Sequence, residues 1–304
     1  MNNHQKYIRY TWFLLIMVFL VIIAGGVVRM TQSGMGCPDW PRCFGRWIPP
    51  TSVDQLPADF EKYLRKQDID HTFNAYHTWI EYVNRLLGAL LGVFIFIHFI
   101  WSFARFRKTD KVIVGWSLFL LITVGFQGWL GKNVVDHNLA AVKVTTHMLV
   151  ALLIAAIPLI IIYRLRQTDR KPNHLLKMLS MAALVIILVQ IVLGTQVREQ
   201  IDEISRSLMY QERESWIARL DQLFIVHRSF SWLVLAACLV IVWKAWPYAE
   251  LKKPALLTLV LVLLTLLLGL IMMWAGVPAW AQPAHLLLAS MLALTVFTLR
   301  LRLK

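Results

Sequence analysis

The sequence predicts an all-α integral membrane protein, with eight transmembrane helices arranged as two pseudo-repeated four-helix bundles. Three observations carry that prediction. The 304 residues are 58% hydrophobic and only 16% charged, with a mean hydropathy of +0.60, which is more apolar surface than a water-soluble domain of this length can hide. Windows of about 20 residues, the length that crosses a hydrocarbon core, find apolar runs at 11–28, 79–103, 112–130, 144–163, 177–197, 223–243, 255–274 and 280–300. Finally, Lys6 and Arg9, "ARFRKTDK", "YRLRQTDRKPNHLLK", "WKAWPYAELKK" and "LRLRLK" all fall on one face of those runs. Basic residues accumulate on the cytoplasmic ends of spans, so both termini are expected in the cytoplasm. The net charge of +14 is then a topology signal. The basic runs are short and separated by spans, which argues against a nucleic-acid partner.

Taken in order, the first span (11–28) passes into "AGGVVRMTQSG" with no A-x-A-like cleavage site, so it is expected to remain as an anchor. The second (79–103) carries Glu81, Asn84 and Arg85 in its first turns. Ionisable groups at membrane depth cost about 2.5–3.5 kcal/mol each at a helix centre and less near an end, so something must be gained from them. If that helix begins early, His77, Glu81 and Arg85 line one face with Gly88 and Gly92 below them. The plainer alternative is an i,i+4 pair in which Glu81 and Arg85 neutralise each other, although apolar residues could replace such a pair with little loss. The third span is 112–130. The fourth (144–163) begins with His147, the sixth (223–243) with His227 and the eighth (280–300) with His285. By the topology above, all three histidines lie at similar shallow depth on the outer side.

The halves repeat. "GGVVRMTQ" closing span one resembles "LGTQVREQ" closing span five, "EYVNRLLGALL" resembles "FIVHRSFSWLV", and "TTHMLVALL" resembles "PAHLLLASML". The expected division is 1–170 and 171–304. Arg29 to Arg85 is 56 residues and Arg198 to Arg228 is 30, so the first outer loop is longer by 26 and holds Cys37 and Cys43. Asn84 occupies in the first half the place of His227 in the second. A transmembrane histidine is often a hydrogen-bonded packing residue, but His227 and His285 begin two helices of one half. Neutral imidazole is the common protein ligand of heme iron, so the two are placed to hold one heme from both faces. His4, His71, His137 and His174 fall in tails or loops, and His98 lies near a cytoplasmic helix end where polar tips are ordinary.

The first outer loop reads "MTQSGMGCPDWPRCFGRWIPP". With the Glu-x-x-x-Arg element at Glu81 and Arg85, and with His147, His227 and His285, it resembles the heme A synthase family, membrane oxidoreductases of cytochrome oxidase assembly. The resemblance covers essentially the whole chain. It implies oxidation of a ring methyl of heme O by successive hydroxylations to a hydrated aldehyde, which loses water to leave the formyl group of heme A. It also implies that Glu81 is the essential carboxylate, that His147 stands in an amino-terminal heme O site, and that His227 and His285 hold a heme B cofactor. By their positions in the sequence, Asn84, Arg85 and His77 join the expected heme O site and Arg228 the heme B site. Many members have His where this chain has Asn84. Arg85 and Arg228 face either propionates or lipid headgroups. Cys37 and Cys43 lie outside the cytoplasm, where disulfides persist. A bridge there contributes roughly 2 kcal/mol; the alternative is a redox-active dithiol. Cys238 is read as a packing residue.

The implied partners are a heme O synthase, the cytochrome oxidase assembly machinery, a quinone or other electron carrier, and membrane lipid. The implied location is a bacterial inner membrane, with the heme sites toward the outer side. The rival reading is a non-catalytic b-type membrane cytochrome relaying electrons from quinol, which gives no reason for Glu81 or the Cys37 loop. A repeat-built transporter is third; its repeats, each with an even number of spans, would share one orientation, and they lack the broken helices typical of such sites.

Overall fold

A computed structural model describes residues 3–64, 73–136, 141–166 and 173–303; His71 and His137 lie outside them. Eight helices in it are long and apolar enough to cross a membrane: α1 (Asn3–Met30), α2 (Ala75–Phe106), α3 (Lys111–Asp136), α4 (Ala141–Leu165), α5 (His174–Ser207), α6 (Gln222–Ala245), α7 (Ala249–Trp274) and α8 (Ala281–Leu301). The described residues contain no strand. A bilayer core offers backbone groups no partner, and helices satisfy their own. Three of the helix starts are fixed by side-chain caps. Asn74 Oδ1 accepts from the backbone N–H groups of Tyr76 and His77 at 3.0 and 3.3 Å, Asn173 from Leu176 at 2.9 Å and Asp221 from Leu223 at 2.7 Å.

The chain divides into two compact units, Met1–Ile161 and Ile162–Lys304. In the first, α1 packs on α2 and α2 on α3. In the second, α5 packs on α6, α6 on α7, α7 on α8 and α8 back on α5, which closes a four-helix ring. Outward positions are apolar: Val83, Leu86, Leu90, Val93, Ile97 and Ile100 form an exposed stripe along α2, suited to lipid. Exposed Trp243 and Trp246 stand at one end of the second unit, and Trp274 and Trp280 at the other, as interfacial belts require.

Three differences from the sequence reading have physical causes. The cap at Asn74 starts α2 before residue 79, which brings His77 into its first turn. The run 177–197 continues as helix to Ser207, because Ile201, Ile204 and Leu208 keep an apolar face that packs on Trp216 and Val277; what reads as a connector is a folded cap on the second unit. His98 is fully buried. Its Nε2 lies 3.1 Å from Thr11 Oγ1 and its ring stacks on Tyr7 at 4.7 Å, whose hydroxyl reaches Ser117 Oγ at 3.1 Å, so it belongs to a polar seam between α1, α2 and α3 instead of a solvated tip.

Candidate functional site

In the first unit the loop that carries Cys37 and Cys43 is built onto the start of α2. Glu81 is 3% exposed. Its Oε2 accepts the backbone N–H of Cys37 at 2.8 Å, and its Oε1 accepts Nε and Nη2 of Arg85 at 3.1 and 2.5 Å. Arg85 turns its other N–H groups to the loop: Nη1 donates to the carbonyls of Asp39 at 2.6 Å and Arg42 at 3.1 Å, and Nη2 to that of Cys37 at 2.7 Å. The rigid five-donor fork of a guanidinium suits this task. The structure therefore gives Arg85 a role absent from the sequence reading, that of anchoring the loop carbonyls against Glu81.

The loop reaches the helix so closely because Gly36 has no side chain. A Cβ there would stand 2.5 Å from the backbone C and O of His77. Thr78 Oγ1 donates to the Gly36 carbonyl at 2.8 Å. Cys37 and Cys43 form a disulfide, both buried with Phe44 against Tyr63, Phe73 and Tyr82. Asp39 accepts the N–H groups of Phe44 and Gly45 at 2.6 and 2.9 Å, in a turn where both residues have positive φ. The effect is to present one buried carboxylate, held from two sides, at the amino-terminal end of α2.

The histidines share a different architecture. His147, at the start of α4, lies beside Gly131 of α3, whose Cβ position is 3.5 Å from the imidazole Cε1. His285, at the start of α8, lies beside Gly269 of α7 at the same 3.5 Å, and His227 of α6 beside Gly194 of α5 at 3.1 Å. Glutamines hold two of the histidine backbones: Gln127 Nε2 donates to the His147 carbonyl at 2.9 Å and Gln190 Nε2 to that of His227 at 3.0 Å. All three imidazoles keep a buried Nδ1 with no hydrogen-bond partner, and so does Asn84 its Oδ1.

His227 and His285 come within electrostatic reach of each other inside one four-helix ring. Two half-buried imidazoles with unpartnered nitrogens, each set in a glycine notch, are the donor set that fits a heme iron. Arg228 follows His227 on an exposed face, with its guanidinium 6.0 Å from the Phe224 ring. The sequence reading singled out the histidines, Glu81 and the cysteines as candidates; Gly131, Gly194, Gly269, Gln127 and Gln190, which the structure places against those histidines, were not among them. A signal was present, since Gly131 precedes His147 at the same spacing as Gly269 precedes His285.

A family model described as cytochrome oxidase assembly protein, COX15-CtaA, matches residues 8–297. The heme A synthase of Flavobacterium psychrophilum is 25% identical over 337 aligned positions, covering 98% of this chain and 98% of that protein. The heme A synthase of Sphingopyxis alaskensis is 25% identical over 317 positions, covering 93% and 88%. That of Shewanella oneidensis is 29% identical over 192 positions, covering 60% of this chain and 55% of that protein. With nearly the whole length matched, on a chain with eight helices long and apolar enough to cross a membrane, the chain belongs to the COX15-CtaA family of cytochrome oxidase assembly proteins.

Proposed function

We propose that this chain is a heme A synthase, a multi-pass membrane oxidoreductase that converts heme O to heme A for cytochrome oxidase. The observation that carries the reading is Glu81, a nearly fully buried carboxylate fixed by the Cys37 amide and Arg85 in the same unit as His147. An electron-relaying cytochrome has no use for it.

In this reading the first unit binds heme O, with His147 the ligand to the substrate iron and Asn84 and His77 near it. Glu81 moves protons: one lone pair of Oε2 is held by the Cys37 N–H, which fixes the carboxylate while leaving Oε2 a second lone pair for a proton taken from or returned to the substrate. Arg85 orients Glu81 and holds the disulfide loop over it, which restricts water at the outer mouth. In the second unit His227 and His285 hold heme B, with Arg228 at its edge. When bound, that heme supplies one-electron relay. The electron carrier is a quinone or a comparable membrane carrier, heme O arrives from a heme O synthase, and heme A passes to the cytochrome oxidase assembly machinery. The chain sits in a bacterial inner membrane with both termini cytoplasmic and its sites toward the outer side.

The test is expression in a host that makes heme O but lacks its own enzyme, followed by extraction and chromatography of the hemes. Heme A is expected. Heme B alone, with heme O supplied and respiration active, favours the electron-relay reading.

A further inference from the structure

The two units place histidines in glycine notches, but not equally. Gly269 and Gly194 in the second unit abut His285 and His227, and Gly131 in the first abuts His147. The fourth position of this pattern is Gly25, four residues before Arg29 as Gly194 is before Arg198, with Asn84 standing directly before Arg85 as His227 does before Arg228. A Cβ at Gly25 meets nothing within 4 Å. Asn84 is too short to fill the space an imaginary imidazole would take, because its oxygen is one bond nearer Cβ than the Nε2 of histidine. Its amide is also a poor donor to iron, which prefers imidazole, thiolate or phenolate from proteins. Yet Asn84 Oδ1 is buried and has no hydrogen-bond partner, so the side chain is a polar group waiting for a ligand, at the helix level where its counterpart is a histidine.

We propose that a heme held in the first unit has His147 as its one protein ligand, and that Asn84 and the open space at Gly25 leave the other face of the iron free for a small exogenous ligand. This rests on the heme O reading of that unit. Asn84 then acts as a polar neighbour of the open coordination position: its amide hydrogen-bonds a water or diatomic molecule bound there instead of occupying the iron itself. The polarity and hydrogen-bonding groups of such a position decide whether a heme binds and activates a small molecule or only passes electrons. The second unit, with an imidazole in both notches, is closed to such ligands. The same repeated scaffold thus yields one open and one closed heme site through a single change of side chain, His227 against Asn84.

The experiment uses the full-length protein purified from a heme O-producing host, read by magnetic circular dichroism for spin state and by the reduced-plus-carbon monoxide difference spectrum. The wild type is expected to contain low-spin heme B that ignores carbon monoxide and a second, high-spin heme that binds it. His147→Ala is expected to lose the second heme and keep the first. Asn84→His is expected to turn the second heme low-spin and to cut the carbon monoxide response at least tenfold. Two low-spin, carbon monoxide-insensitive hemes in the wild type overturn the inference while leaving the heme O reading intact, as does an Asn84→His protein whose spin state and carbon monoxide response match the wild type. Absence of any second heme in both proteins, with heme B in place, overturns the heme O reading and this inference with it.

Discussion

Glu81 shows how much a single side chain can be asked to do at the edge of a membrane. Three donors, the Cys37 N–H and two nitrogens of Arg85, aim at its two oxygens. Glu81→Gln preserves size but offers one oxygen and one NH2 group, and that NH2 group faces a donor on whichever side it lies. The substitution is therefore expected to cost about 1–3 kcal/mol of stability from an unmade buried hydrogen bond. It is also expected to lower heme A formation by about 10²–10⁴-fold, the usual worth of a positioned acid or base. Heme B content should be unchanged, since Glu81 lies in the other unit from His227 and His285. Quantifying heme A and heme B in the same preparation checks both parts. A heme B-replete variant making heme A at the wild-type rate would remove Glu81 from the chemistry and leave it as the loop's anchor.

At the scale of elements, the disulfide loop and the first turns of α2 form one device, and two substitutions probe it. Gly36→Ala drives a methyl group into the His77 backbone, 2.5 Å away. Neither backbone is a flexible chain end, so the loop must lift. The expected cost is about 1–3 kcal/mol, typical of overpacking, with activity falling as the Cys37 N–H leaves Glu81; a thermal melt with parallel heme analysis measures it. The double change Cys37→Ser with Cys43→Ser opens the bridge. By chain entropy this costs roughly 2 kcal/mol and should leave heme B in place, because Asp39 and Arg85 still hold the loop through backbone groups. Loss of heme B would instead mean that the loop supports the folding of the whole chain.

What could be read in advance also divides at this scale. The spans were legible because hydrocarbon imposes a length and a composition, and Glu81 because a carboxylate in an apolar run has a visible cost. Three histidines stood out because each falls within the first two turns of an apolar run. The contacts between Arg85 and the Asp39, Arg42 and Cys37 carbonyls were not, since backbone acceptors leave no mark in a sequence. Nor was the cap built on Trp216, because its apolar residues are spread over a stretch that otherwise reads as charged and loop-like.

For the molecule as a whole, the proposed function gives the two compact units different work, and the clearest consequence is that their sites should fail independently. His227 and His285 begin α6 and α8 within one closed ring, each beside a glycine whose missing side chain makes room for the imidazole. If each supplies one axial bond, His227→Ala or His285→Ala leaves an iron with a single imidazole. The low-spin heme B spectrum is then expected to disappear, either by conversion to high spin or by loss of the heme. The first unit keeps Glu81, His147 and the disulfide loop, so its folding and its capacity to bind heme O should survive, while heme A formation stops for want of an electron relay. Optical spectra of the reduced and oxidised variants, with chromatography of bound hemes, separate these outcomes. A variant retaining an unaltered low-spin spectrum would strike that histidine from the ligand set. A variant losing heme O binding together with heme B would mean that the units depend on each other for folding, and the division of labour proposed for them would have to be abandoned.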